Sequence, residues 1–340
     1  MGRIYAQLMR PALFALPAEA AHRVALAALG LPAPWGLIGG AAPTPSLDFE
    51  IAGLRFANPV GLAAGFDKDC RRLAALGRLG FGYLVGGTVT LEARRGNDRP
   101  RIGRYVAQRS LVNAMGFPNR GAQAAHAVLR DTRGKTATLV SIAGSSVSEV
   151  IRTSELVAPF ADGIEFNVSC PNVRWGRSVD TEAMLSETLP KLKRTVGKPI
   201  FVKLPPYRVG KEREAVISLV RIAVECGADA ITASNAFPVT SRRMALGTGG
   251  LSGKAVFADT LRIVADIYRA THGRVPVNAC GGIFDGDDAL ACIKAGASTV
   301  QVYSGFAYQG PRVVREITAR LVEATATSNR RLNDIIGISA

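Results

Sequence analysis

The chain has 340 residues, of which 48% are hydrophobic, and its formal net charge is +15 at pH 7. This length and apolar content allow a large core, as in a single α/β barrel. The positive charge suggests an anionic partner, such as a phosphorylated ligand or an acidic membrane surface. The arginines are scattered and accompany no nucleic-acid motif, so we expect no binding to DNA or RNA.

Cysteine and histidine usage disfavours several classes of site. The five cysteines are irregularly spaced and contain no CxxC pair, which predicts a reduced protein without structural zinc. We expect Cys226, Cys280 and Cys292 to be small buried apolar residues. The three histidines occur in no catalytic pattern, so neither a Ser-His-Asp hydrolase nor a metal site is expected.

Residues 1–40 predict a helical hairpin made of two amphipathic stretches joined near Leu16 and Pro17. Neither stretch reaches the roughly 20 apolar residues that a bilayer-spanning helix needs. Arg10 and Pro11 interrupt the apolar run, which disfavours a signal peptide. Two interpretations stay open: a cap on the core, or a hairpin that lies in a membrane surface with its arginines near lipid head groups.

From residue 47 to residue 340, short apolar strands alternate with amphipathic helices. The predicted strands cover residues 60–64, 82–87, 137–144, 163–169, 199–204, 229–234, 275–280 and 298–303. Eight strands with intervening helices predict an α/β fold, the (β/α)8 TIM barrel. A doubly wound sheet is the alternative, but the first strand is followed by "GLAAGFDKD", which lacks the GxGxxG fingerprint.

Polar or glycine residues follow nearly every predicted strand, at the barrel end where catalytic groups gather. Gly281-Gly282 follows the seventh strand and Ser304-Gly305 the eighth, the usual places for a phosphate site. We expect "GTGGLSGK" (247–254) to be a third glycine-rich loop, and together these loops predict a phosphate-bearing cofactor. Lys203, on the fifth strand, is either a buried lysine paired with a carboxylate or a cation beside a reduced flavin.

"EFNVSCPN" (165–172) ends the fourth strand with side chains that suit proton transfer and hydrogen bonding to a flat heterocycle. Ser169 and Cys170 are the two candidates for the proton-transfer group. The thiol is the better candidate because its reference pKa of ~8.5 needs only a modest shift to reach working pH. A serine hydroxyl needs a partner base, and no histidine is evident.

Several motifs resemble those of dihydroorotate dehydrogenases over nearly the whole chain. "NPVGLAAGFDKD", "GTVT", "GNDRPRIGR", "GGLSGK", "CGGIFDGDDALACIKAGASTVQVYSGF" and the two N-terminal helices resemble the membrane-associated, quinone-linked class. "NVSCPNV", "NAMGFPN", "VSIAGSS" and "VKLPPY" resemble the soluble class, which uses fumarate or NAD. The resemblance implies an FMN-containing barrel that oxidises dihydroorotate to orotate in pyrimidine biosynthesis.

The resemblance also implies roles for individual residues. It makes Cys170 the catalytic base, in place of the serine of the quinone-linked class. The substrate-binding residues would be Lys68, Asn113, Phe117, Asn167, Asn172 and Asn235. The residues around FMN would be Ala64, Gly65, Thr88, Ser141, Asn167, Lys203, Ser234, Gly253, Gly281, Gly282, Tyr303, Ser304 and Gly305. Those lining the quinone access path would be His22, Arg104 and Tyr303.

The resemblance implies a quinone as electron acceptor and a peripheral position on the cytoplasmic face of a membrane. Ser141 and the pair Arg174-Trp175 depart from the quinone-linked pattern. Alternatives therefore stay open: another dihydropyrimidine or a specialised metabolite as substrate, and fumarate or NAD as acceptor. A non-catalytic, membrane-bound barrel that binds a phosphate ligand is the alternative from another class.

Overall fold

The structure is a computed structural model, and it describes residues 5–39, 44–132, 134–168 and 181–340. Its strands are β1 Phe49–Ile51, β2 Leu54–Phe56, β3 Val60–Leu62, β4 Tyr83–Val89, β5 Ile102–Tyr105, β6 Ser110–Asn113, β7 Ala137–Ile142, β8 Gly163–Asn167, β9 Ile200–Lys203, β10 Ala230–Ala233, β11 Phe237–Thr240, β12 Thr248–Gly253, β13 Val277–Cys280 and β14 Thr299–Val302. Its helices are α1 Arg10–Ala15, α2 Ala18–Ala28, α3 Trp35–Gly39, α4 Leu73–Gly77, α5 Ala122–Asp131, α6 Val147–Val157, α7 Thr181–Val196, α8 Lys211–Glu225, α9 Phe257–Thr271, α10 Gly286–Lys294, α11 Ser304–Gln309 and α12 Val313–Ser328.

The eight predicted strands form a closed parallel barrel, which confirms the predicted TIM barrel. Their order around the barrel is β3-β4-β7-β8-β9-β10-β13-β14, and β14 pairs with β3 to close it. Seven of these strands are buried along their whole length or at all but one residue, and β7 is buried from Leu139 onward. Such strands read as short continuous apolar runs because both of their faces are covered.

A two-stranded hairpin closes the N-terminal end of the barrel. Strands β1 and β2 pair antiparallel through a two-residue turn, in which Ala52 and Gly53 have φ angles of 51° and 82°. Positive φ at both turn residues is the geometry that matches the twist of a tight hairpin. The ring of Phe56 then packs 4.7 Å from that of Tyr83, inside the barrel. The β1–β2 hairpin therefore fills the N-terminal end of the barrel and leaves the C-terminal end accessible to ligands.

A four-stranded antiparallel sheet, in the order β11-β12-β6-β5, covers part of that opposite end. The expectation of a glycine-rich loop at residues 247–254 is wrong over most of its length, because residues 248–253 are strand β12. Gly249 fits only without a side chain, since a Cβ there would stand 2.8 Å from Val112 on the neighbouring strand. The glycines therefore allow close strand packing.

The N-terminal segment forms a helical hairpin against the same end of the barrel. Helices α1 and α2 meet at Leu16-Pro17, and Tyr5 donates a hydrogen bond of 2.6 Å to the carbonyl of Ala307. Glu19, in the first turn of α2, accepts from Arg99 at 3.0 Å and from Arg101 at 2.7 Å. Within the described residues, no helix is long and apolar enough to cross a membrane.

Candidate active site

A cavity lies at the C-terminal end of the barrel, between the strand ends, the antiparallel sheet and helix α2. It encloses about 1360 Å³ when counted out to its open mouth. The predicted site residues that line it are His22, Ala64, Gly65, Lys68, Thr88, Asn113, Phe117, Asn167, Lys203, Ser234, Asn235, Gly253, Gly281, Gly282, Tyr303, Ser304 and Gly305.

Of the predicted site residues that the structure describes, Ser141 and Arg104 do not line the cavity. Ser141 is completely buried behind the wall, with its hydroxyl 3.0 Å from that of Thr88. Arg104 faces the N-terminal hairpin: it donates to the carbonyls of Leu13 and Leu16, and its guanidinium lies 4.6 Å from the ring of Phe14. Cys170 and Asn172 lie outside the described residues.

Lys68 is a half-buried cation at the cavity wall, and it forms no salt bridge with any other described residue. It follows strand β3, and its ammonium donates a hydrogen bond of 2.6 Å to the carbonyl of Gly65. Burial lowers the pKa of Lys68 to about 8. The nearby carboxylates of Glu19, Asp67 and Asp69 raise it and offset part of this effect. The group is therefore mostly protonated at pH 7, and an anion bound beside it would favour the charged form further.

Lys203, the last residue of β9, fits both sequence interpretations. Its ammonium lies 3.8 Å from a carboxylate oxygen of Glu165 and 3.9 Å from the sulfur of Cys280. Burial lowers the pKa of Lys203, but the contacts with Cys280 and Glu165 raise it, so that the pKa lies above its usual value. The side chain also lines the cavity, so a charged ammonium stands at the cavity floor.

Glycines let the backbone approach the cavity where strands β12, β13 and β14 end. Gly253, Gly281 and Gly282 have φ angles of 98°, 144° and 73°. A Cβ on Gly253 would stand 2.5 Å from the carbonyl of Arg109, and one on Gly305 would stand 2.3 Å from that of Ile283. Side chains are excluded at these positions, and main-chain amides form part of the wall, an arrangement typical of phosphate sites.

Aromatic rings connect the hairpin to the cavity. The ring of His22 lies 5.1 Å from that of Phe66, which lies 5.8 Å from Tyr303 and 5.0 Å from Phe306. Burial, helped by the nearby Lys68, lowers the pKa of His22 to about 3, so this imidazole is neutral at pH 7. The path between α2 and the cavity is therefore uncharged along this row.

The structure adds residues that the sequence reasoning missed. Of the three cysteines expected to be buried, Cys292 is buried, whereas Cys226 and Cys280 are only half-buried, and Cys280 lines the cavity. Glu19, Ser252 and Gln301 also line it, and the amide oxygen of Gln301 has no hydrogen-bond partner among the described residues.

The sequence does contain a signal for polar residues deeper in the barrel. Side chains alternate between the two faces of a strand, so residues i and i+2 point to the same face. Two residues before Asn167, Ser234 and Cys280 stand Glu165, Thr232 and Asn278, all completely buried. Together they form a second polar layer beneath the one at the strand ends. Barrel interiors are usually filled by branched apolar side chains, which makes this layer unusual.

Comparisons with known proteins assign the chain to a family. The family model described as dihydroorotate dehydrogenase matches residues 46–324. A relative from Methylococcus capsulatus, named dihydroorotate dehydrogenase (quinone), is 39% identical, and the alignment covers 94% of this chain and 99% of that protein. One of the same name from Novosphingobium aromaticivorans is 38% identical, with 92% and 93% covered.

A solved structure gives the same answer at the level of the fold. The crystal structure of DHODH from Eimeria tenella in complex with ferulenol has a TM-score of 0.81, at 26% identity. The match covers 94% of this chain and 95% of that one. The chain belongs to the dihydroorotate dehydrogenase family.

Proposed function

We propose that this protein oxidises dihydroorotate to orotate in pyrimidine biosynthesis and passes the electrons to a quinone. Relatives at 38–39% identity have the name dihydroorotate dehydrogenase (quinone), and the chain matches them over almost its whole length. The observation on which the proposal depends is the cavity at the barrel mouth, where lysines, asparagines and glycines meet.

The cofactor is FMN in this proposal. Dihydroorotate dehydrogenases are flavin enzymes, and the donor set fits a flavin mononucleotide. Main-chain amides near Gly281, Gly282 and Gly305 suit a phosphate, whereas Lys203 and the open amide oxygen of Gln301 suit the polar edge of a ring. Bound FMN would accept a hydride from the substrate and release the electrons to a quinone.

The substrate is held by the ammonium of Lys68 and by amide side chains. Lys68 would pair with the carboxylate of dihydroorotate, since an anionic partner favours the charged form of this ammonium. Asn113, Asn167 and Asn235 line the same cavity and offer donors and acceptors to a ring with alternating C=O and N–H groups. Phe117 adds an apolar contact at the wall, and Asn172 would complete the set.

Cys170 is the base that takes the proton alpha to the ring carbonyl of the substrate. Asn167 ends β8 at the cavity wall, and Cys170 follows three residues later in the chain. The thiol that lines the described part of the cavity, that of Cys280, stands beside Lys203, and burial raises its pKa. A neutral thiol at the ammonium is poorly suited to removing a proton, which favours Cys170.

The quinone would reach the cavity past the N-terminal hairpin. His22, Phe66 and Tyr303 form an uncharged aromatic row from α2 to the cavity. Arg104 would act indirectly, because it holds the carbonyls of the hairpin and does not line the cavity. The hairpin would lie on the cytoplasmic face of a membrane, which supplies the quinone.

Reduction of the bound flavin by dihydroorotate under anaerobic conditions tests the assignment of the base. The Cys170→Ala variant should lose about 10²–10⁴-fold in the rate at which the visible flavin absorbance bleaches, the usual contribution of general acid–base catalysis. Cys226→Ala is the matched control, because that sulfur lies 3.9 Å from a carbonyl oxygen of Ser186, outside the cavity. An unchanged rate in Cys170→Ala would refute the assignment.

Two further measurements complete the test. Cys170→Ser should retain some activity with its pH optimum moved upward, since a hydroxyl is a weaker acid than a thiol. Reoxidation of the reduced enzyme by a quinone should be faster than by fumarate or NAD. Faster reoxidation by either of these would contradict the quinone assignment.

A further inference from the structure

Glu165 is a completely buried acidic residue inside the barrel, one layer below the cavity. It lies on β8 two residues before Asn167, and Asn167 is the register partner of Lys203 on β9. One carboxylate oxygen is 3.8 Å from the ammonium of Lys203 and has no hydrogen-bond partner among the described residues. The cation of the cavity floor thus stands above a buried anion.

The other carboxylate oxygen receives a directed chain of hydrogen bonds. Thr232 donates its single hydroxyl proton to this oxygen at 3.1 Å, and the amide of Gln301 donates at 3.5 Å. Thr232 accepts from the amide of Asn278 at 3.4 Å, and Asn278 accepts from Thr299 at 2.6 Å. These contacts supply donors to the carboxylate.

The donor at the first link of this hydrogen-bond chain follows from the number of protons available. Because Thr299 uses its only hydroxyl proton on Asn278, Tyr83 must donate in the 2.9 Å contact between the two hydroxyls. Every link from Tyr83 to Glu165 therefore donates in the direction of the carboxylate. Aligned chains of this kind reinforce one another and stabilise negative charge at their end.

Among the described residues, the carboxylate within ion-pair distance of Lys203 is that of Glu165. Burial raises the pKa of Cys280, so this thiol is uncharged at pH 7 even though it lies 3.9 Å from the ammonium. Burial likewise raises the pKa of Tyr83, at the far end of the chain. A buried ammonium without a counter-ion tends to lose its proton. The ion pair with Glu165 opposes that loss, together with the hydrogen bond to the sulfur of Cys280.

We propose that Glu165 is a positioning residue that keeps Lys203 charged at the cavity floor and thereby raises the reduction potential of the flavin. This inference rests on the proposed function, because it assumes that FMN binds beside Lys203. A flavin gains negative charge on reduction, and a fixed ammonium beside it stabilises that charge. Glu165 itself need not touch the cofactor.

The test is the equilibrium for reduction of the bound flavin in the full-length Glu165→Gln variant. It is measured by titration with dithionite against a reference dye, so it does not depend on dihydroorotate. We expect an equilibrium constant for reduction at least about tenfold below that of the unaltered protein, because the neutral Lys203 no longer stabilises the reduced form. Lys203→Met should show a similar loss, and the double variant no further loss.

Glu187→Gln is the matched control, because Glu187 pairs with Lys191 at 2.7 Å on the protein surface. It should leave the equilibrium unchanged. Glu165→Asp keeps the charge but withdraws it from Lys203, so it should shift the equilibrium in the same direction by less. This variant keeps the proposal testable if Glu165→Gln does not fold.

An unchanged equilibrium in a folded, yellow Glu165 variant would overturn the proposal and leave the proposed function intact. An increase would overturn it as well, because it would show that Lys203 stays charged without its counter-ion. A colourless unaltered protein would instead overturn both this inference and the proposed function.

Discussion

Gly282 shows how tightly the cavity wall constrains single residues. Its φ is 73°, and a Cβ there would stand 2.7–2.8 Å from the backbone and Cβ of Phe257, at the start of helix α9. Both the backbone conformation and the lack of space therefore oppose any side chain. We expect Gly282→Ala to lose bound flavin and to destabilise the fold by about 2–4 kcal/mol, from conformational strain plus overpacking. Flavin content and denaturant unfolding measure the two effects.

Gly247→Ala separates strain from steric clash. Gly247 has a φ of 70°, nearly that of Gly282, but a Cβ there meets nothing within 4 Å. The Gly247→Ala substitution should lower the free energy of unfolding only by the backbone strain, about 1–2 kcal/mol, and leave the flavin content unchanged. Equal losses in the two variants would show that the space beside Phe257 is not what excludes a side chain.

The polar residues at strand ends could be located from the sequence, because a parallel barrel brings all such ends together. Lys68, Lys203 and Ser234 lie at or after the ends of three different strands and still line one cavity. The second polar layer can also be located from the sequence, because its residues stand two positions before those at the strand ends. The residues around Glu165 in the sequence, however, do not identify it as an ion-pair partner. Its pairing with Lys203 depends on the register between β8 and β9, which the sequence does not state.

At the scale of elements, Glu19 attaches the N-terminal hairpin to the barrel. It accepts hydrogen bonds from Arg99 and from Arg101, whose side chain is only 7% exposed. Burial alone would raise the pKa of Glu19, but the two guanidinium groups lower it from 4.5 to about 2. The two ion pairs of Glu19 therefore stabilise hairpin docking fully above pH 4.5, and this contribution disappears as the pH falls toward 2.

Glu19→Gln should reproduce at pH 7 what acid does to the unaltered protein. We expect a loss of about 1–2 kcal/mol in hairpin docking, and hence about tenfold faster hydrogen exchange in residues 5–39. Peptides from the barrel should be unaffected. Asp131→Asn removes an exposed pair with Arg130 and serves as the control. Unchanged exchange in the hairpin would contradict the role of Glu19.

The elements that the sequence predicted correctly are those with a local signal. The barrel strands are short apolar runs between turn residues, and the hairpin helices show clear apolar faces. Strand β12, "TGGLSG", contains three glycines and resembles a loop; it forms a strand because β6 and β11 pair with its two edges. That stabilisation is long-range, so no window of the sequence around residues 248–253 reveals it.

At the scale of the whole molecule, apolar exposure is concentrated on the hairpin. Among the described residues, ten large hydrophobic side chains are exposed, and six of them lie in residues 5–39: Leu8, Met9, Leu16, Val24, Leu31 and Leu37. The chain also has a net charge of +15. An apolar segment on a basic protein suits the surface of an anionic membrane, where burial and charge act together.

Binding to vesicles of anionic lipid tests this position. Replacing Leu8 and Leu37, which are 67% and 79% exposed, by glutamate should weaken binding at least about tenfold, because each leucine loses ~1.5–3 kcal/mol of possible burial. Leu246→Glu with Ile338→Glu is the matched control: it changes the net charge equally but lies outside the hairpin, at side chains that are 47% and 51% exposed. Added salt should weaken binding of all three proteins, since exposed charges are screened. If both double variants lost the same affinity in a sedimentation assay, charge alone would explain binding, and the hairpin would not be the contact surface.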